Sequence, residues 1–175
     1  MAREPVAGRG HGKDECVVAS AAAQPDVAGT VVGQTAAISS FHRHRFEVIK
    51  EYGGCVCCLL MGYTDIHASI EHVTERGRRK GSGSEQHSWT IGLDKWHHFG
   101  HCWSGQNRQK MIGMVGPSLA HGRKYFEEYF GEEEILVKIQ DLIVKRYDES
   151  PWEPYNIPAE LVRESRDYWI RLNRE

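Results

Sequence analysis

Cys55 and Cys58 are separated by two residues, a spacing that lets two thiolates hold one tetrahedral zinc ion from a tight turn. Cys57 lies between them and can stand in for Cys58. Asp94 and His97 repeat the two-residue gap further along the chain. Asp is a usable oxygen ligand for zinc, though less common than Cys in structural sites. The expected zinc set is therefore Cys55, Cys58 and His97, with Asp94, His101 or Cys102 completing it. A second constellation is the adjacent pair Glu71-His72, followed later by His98. Carboxylate oxygen suits magnesium or manganese. A metal ion held by Glu71 and His98 can polarise a phosphate oxygen and stabilise a leaving alkoxide. His72 then supplies a base that works near neutral pH.

Between these groups runs RGRRKGSGS, residues 76–84. Arg76, Arg78, Arg79 and Lys80 can grip phosphates, and the glycines allow close backbone approach. Trp89, Trp96 and Trp103 recur every seven residues and offer stacking surfaces, but that spacing makes core packing the stronger reading for Trp96.

The elements that must position these residues follow from pattern. Residues 41–52 read as a helix, capped by Ser39 or Ser40 and ended by Gly53-Gly54. Residues 68–73 and 89–93 are β-prone, the first ending in Glu71-His72. A His-rich helix start follows at 94–101, which gives a β-β-α order. Residues 124–130 form an aromatic helical turn closed by Gly131. Residues 132–147 are the clearest helix: the acidic start suits the helix dipole, and Ile135, Leu136, Ile139, Leu142 and Ile143 make one apolar face. Residues 150–158 hold three prolines and read as a linker into a final amphipathic helix over 158–173.

The chain has 175 residues, a net charge of −2, ten histidines and five cysteines. The length suits one domain plus a tail. Global charge does not announce a nucleic-acid partner, so the local basic run carries that signal. Six histidines fall between His67 and His101. Three cysteines crowd into four positions, which fits a metal site in a reducing compartment better than a disulfide framework. No apolar run is long enough to span a membrane and no secretory signal is evident, so an intracellular, non-membrane protein is expected. Residues 1–40 are Ala- and Gly-rich without an aromatic and read as a flexible tail, with 19–23 able to turn helical on a partner. The expected organisation is a tail over 1–40, a domain over 41–149, and a linker with a helix over 150–175. The fold class is α+β: a small zinc-supported ββα core with flanking helices.

The order CxxC, acidic residue then His, β-run, and Asp-x-x-His-His resembles the HNH (ββα-metal) nuclease plan with a structural zinc. The stretches TIGLDKWHHFGHCW and GPSLAHGRKYFEEYFGEEEIL are similar to those of the phage recombination-enhancement (Ref) nucleases, which are RecA-dependent HNH endonucleases. The resemblance covers residues 55–142. It implies Cys55, Cys58 and His97 as zinc ligands, His72 as general base, and Glu71 and His98 as ligands of a catalytic magnesium or manganese ion. It further implies a DNA substrate, a RecA filament as partner, a phage or prophage origin, and the cytoplasm of a bacterial host. Many relatives place Cys where this chain has Asp94, and His-His where it has Glu71-His72. The middle residue of the HNH signature falls to His87, Ser88 or Thr90, and His121 is a further histidine able to approach the site. The competing reading is a non-catalytic zinc module that binds DNA or a protein. It explains the cysteines and the basic loop but leaves Glu71-His72 without a role.

Overall fold

The computed structural model describes residues 38–75 and 78–174. The tail expected over 1–40 falls outside them except for its last three residues, as does Arg76.

Ser39 caps α1 (Ser40–Glu47), its hydroxyl accepting from the His42 N–H. The expected single helix to residue 52 instead widens into a π-helical turn, Val48–Gly53. The cause is the glycine pair. The Gly54 N–H reaches back five residues to the Ile49 carbonyl, and Gly54 sits at φ 61°. A Cβ there would lie 2.6 Å from the Ile66 carbonyl oxygen. Val48 and Ile49 face inward from this turn.

α2 (Val56–Leu60) follows at once and is buried on every side, which is why its sequence is a continuous apolar run without helical period. β1 (Ser69–His72) pairs antiparallel with β4 (Thr90–Leu93), with Glu71 opposite Ile91 and His72 opposite Thr90. The connection between them holds a second small antiparallel pair, β2 (Thr74–Glu75) with β3 (Arg78–Arg79), and a 3₁₀ turn over Gly83–His87. The basic loop is thus partly a hairpin. α3 (Lys95–Phe99) starts directly after β4. Gly92 is required where β4 crosses the first segment, since a Cβ would sit 2.5 Å from the Gly54 carbonyl oxygen and 2.8 Å from Ile49.

α4 (Arg108–Val115), α5 (Arg123–Phe130), α6 (Glu133–Glu149) and α7 (Ala159–Leu172) complete the chain. α4 and α2 are the helices that pattern reading had not placed. The main core joins α2, Ile91 and Leu93 to Phe126, Phe130, Leu136, Ile139, Ile143 and Leu161. Trp96, Met111 and Val115 form a second cluster under α3. Trp96 is fully buried and its indole donates to the Gly116 carbonyl (2.9 Å), as core packing requires. Trp169 of α7 donates to the Phe130 carbonyl (2.7 Å), which ties α7 to the end of α5. The architecture is α+β. No helix among the described residues is long and apolar enough to cross a membrane.

Candidate metal centre and adjoining histidines

Cys55 and Asp94 play the same local part. Each is the N-cap of a five-residue helix, and each is followed three residues later by a second donor, Cys58 on α2 and His97 on α3. An N-cap side chain and the residue at N3 point toward the same spot, because the cap accepts from the N3 N–H. Here the Cys58 N–H meets Cys55 Sγ (3.5 Å) and the His97 N–H meets Asp94 Oδ1 (2.9 Å). The two helix starts face each other. All four residues are buried, with one donor atom of each lying within 4.8 Å of the others.

These donors fit a tetrahedral metal ion. Zinc bonds of about 2.3 Å to sulfur and 2.0–2.1 Å to nitrogen place the two ligand atoms about 3.5 Å apart. Nδ1 of His97 lies 3.3 Å from Cys55 Sγ and 3.5 Å from Cys58 Sγ. Nε2 of His97 is 2.9 Å from the Val115 carbonyl, which can only accept, so Nε2 carries a hydrogen; Nδ1 faces the sulfurs and Asp94 Oδ1 (2.7 Å), and with an ion bound in place of the proton it would offer its lone pair. Asp94 Oδ2 accepts from the Trp103 indole (2.8 Å), which leaves Oδ1 turned inward. Burial alone would lower the pKa of His97, but the Cys55 sulfur and the Asp94 carboxylate outweigh it and raise the value to about 10. Burial likewise disfavours the Cys55 thiolate, yet hydrogen bonds from Cys57 and Cys58 together with His97 bring its pKa down. The pocket favours a cation at its centre. Burial pushes the Cys57 thiol up, and Cys57 stays outside the four-donor group. His101 is exposed, and Cys102 packs with the Trp96 cluster.

The second constellation lies on the strand next to this centre. Ser69 and Glu71 point to one face of β1, His72 to the other. On the first face, His98 Nε2 is 2.5 Å from Glu71 Oε2, and both side chains are about one-fifth exposed. The Ser69 hydroxyl donates to the Leu93 carbonyl (3.1 Å), so its oxygen accepts from His98 Nδ1–H (3.0 Å). A neutral His98 therefore turns a lone pair toward a carboxylate oxygen. Only a cation, either a proton on Nε2 or a metal ion, makes that meeting favourable. His98 follows His97 directly, so whatever fixes α3 through His97 also aims His98.

On the opposite face, His72 Nε2 lies 3.3 Å from His87 Nδ1. Phe46 of α1 packs edge-on against both rings. Burial, the Arg79 charge and His87 hold the pKa of His72 down at about 4, so it is neutral at physiological pH. Thr90 fixes His87 by donating to its carbonyl (3.1 Å), whereas Ser88 bonds His42. Of the three candidates for the middle signature residue, His87 is the one whose ring meets that of His72, while Thr90 is its cross-strand neighbour. The fold thus brings Glu71 to His98 and His72 to His87, with β1 between them. The β1–β4 sheet has two strands, so the outer edge of β1 has no strand beside it among the described residues.

Arg78 and Arg79 are exposed on β3. Lys80 is not free in the same way. It pairs with Glu134 and its ammonium lies 4.1 Å above the Trp89 ring. His121 packs on Trp96 and beside Gly100. Ser69, Trp103 and the Val115 carbonyl, which orient the donors, carry no sequence signal, since each depends on a contact across the fold.

Residues 38–144, more than half of the chain, match the family model described as recombination enhancement, RecA-dependent nuclease. No curated protein and no solved structure matches the chain.

Proposed function

The chain belongs to the family of recombination-enhancement, RecA-dependent nucleases, and from that premise we propose that it is a metal-dependent DNA endonuclease of the HNH kind, hydrolysing phosphodiester bonds in recombination alongside a RecA filament. The observation that carries this reading is the Glu71–His98 pair, a carboxylate and an imidazole lone pair turned to one partly open point. A magnesium or manganese ion held there supplies Lewis-acid polarisation of the phosphate and stabilisation of the leaving oxygen.

The chain's own residues do the rest. Cys55, Cys58, Asp94 and His97 would hold a zinc ion that ties α3 to α2, and Ser69 sets the ring of His98. His72, neutral and steadied by His87, takes a proton from the attacking water as its oxygen bonds to phosphorus. The bond from phosphorus to the leaving oxygen breaks, and that oxygen takes up a proton from solvent. Glu71 and His72 lie on opposite faces of β1, whose outer edge has no strand beside it among the described residues, so a DNA backbone would have to cross that edge to meet both. Arg78 and Arg79 hold neighbouring phosphates.

The test is cleavage of plasmid and single-stranded DNA with magnesium or manganese, with and without RecA and ATP. Wild type should cut, with RecA and ATP required. His72→Ala and Glu71→Gln should abolish cutting while zinc content stays constant. Cutting that survives in His72→Ala removes the assigned base. A folded, zinc-loaded wild type that cuts under no condition removes the nuclease reading in favour of a binding module.

A further inference from the structure

α3 has two sides. Trp96 and His97 are buried, whereas Lys95 and Phe99 are exposed and His98 lies between these extremes. Lys95 and Phe99 are four residues apart, hence one turn apart on the same face. Phe99 is 52% exposed. A single exposed aromatic is ordinary. This one lies flat on His98, ring centroids 3.8 Å apart and planes at 21°, and so stacks on the imidazole that meets Glu71. One face of the ring is thus covered by His98, the exposed His101 ring lies tilted beside it with centroids 5.8 Å apart, and half of Phe99 remains open to solvent. A cation stands beside it: Lys95 is one turn away on the same exposed face.

We propose that this face of α3 seats an unpaired DNA strand, one nucleobase stacking on the exposed part of the Phe99 ring while Lys95 meets a neighbouring phosphate. The inference deepens the nuclease reading and rests on it. The strand must be unpaired locally because both faces of a base inside a duplex are already covered by its neighbours. Stacking on aromatic rings within a cationic groove is the sequence-tolerant way of holding single strands. A base fixed on Phe99 places its own phosphate beside Glu71 and His98.

The experiment uses the full-length, zinc-loaded protein without added magnesium, so that binding is read apart from cutting. The probe is a short fluorescein-labelled single strand carrying 2-aminopurine, scanned along its length. Wild type should bind and quench 2-aminopurine at one position. Phe99→Leu, which keeps an apolar side chain without a ring face, should bind about 5- to 100-fold more weakly and lose that quench. Phe99→Trp should behave as wild type. An abasic site at the quenched position should weaken wild type but not Phe99→Leu. Glu71→Gln should bind with full dependence on Phe99, whether or not the wild type proves to be a nuclease. The proposal is overturned if Phe99→Leu binds the strand as tightly as wild type. That holds if its cutting falls, which would mean that Phe99 only braces His98, and if only RecA stimulation falls, which would mean that the face meets protein. An equal loss on duplex and single strand overturns the unpaired requirement.

Discussion

Trp103→Phe isolates the support of the proposed zinc site without touching a ligand. The indole donates to Asp94 Oδ2 at 2.8 Å, while Oδ1 is engaged with the backbone N–H and Nδ1 of His97 at 2.9 and 2.7 Å. Phenylalanine keeps an aromatic ring beside Tyr63 but removes the N–H together with one ring of the indole. Hydrogen-bond partners of metal ligands typically hold metal affinity by about 10- to 100-fold, or about 1.4–2.8 kcal/mol. A hydrogen bond to a charged group is worth about 1.5–3 kcal/mol by a separate route. The N-cap of α3 uses Oδ1 and survives, so any loss of melting temperature in metal-saturated protein reports the lost ring volume rather than the cap. Competition against a chromophoric chelator gives the zinc affinity of wild type, Trp103→Phe and Asp94→Asn. The expected order is wild type, then Trp103→Phe about 10- to 100-fold weaker, then Asp94→Asn, which also loses the ligand's charge. A folded Trp103→Phe with zinc affinity within about twofold of wild type, well short of the expected loss, would refute Asp94 as a ligand oriented by the indole.

Two further outcomes follow from the geometry. Alanine at Arg78 or Arg79 should each reduce the slope of log K against log salt for duplex DNA by about 0.9. Alanine at Lys80 should leave the slope unchanged and lower thermal stability instead, because Lys80 is held by Glu134 and Trp89. Gly92→Ala should cost about 1–3 kcal/mol in urea unfolding, since its methyl would meet the Gly54 carbonyl at 2.5 Å and Ile49 at 2.8 Å. A midpoint equal to wild type would show that β4 can move away from the first segment.

Three of the buried donors, Cys55, Cys58 and His97, could be read in the sequence from their two-residue gaps, while Asp94 stood beside His101 and Cys102 as the fourth and is singled out by its place as the cap of α3. Glu71 with His98 was legible for a related reason, since the β-β-α order returns α3 to the first strand. Tertiary contacts were not legible. Nothing local says that Lys80 turns to Glu134, that Trp103 reaches Asp94, or that the Val115 carbonyl selects the His97 tautomer. α2 was missed because a helix buried all round shows no amphipathic period. The π-helical turn depends on where Gly54 must bend, which the pattern of Val48 and Ile49 does not encode. His87 was visible only as one of three polar residues at the entry to β4, and its ring contact with His72 singles it out.

Cys55 and Asp94 are 39 residues apart, and between them lie β1, the β2–β3 hairpin and β4. An ion shared by their two helix starts would close that stretch into a ring. By the chain-entropy argument for cross-links, a loop of this size removes about 4 kcal/mol of freedom from the unfolded chain. The strand bearing Glu71 and His72 would then be ordered largely by a clasp whose two halves are made at different times as the chain is synthesised. Cellular zinc supply would act on the strand bearing Glu71 and His72 through polymer topology, at a distance from those side chains.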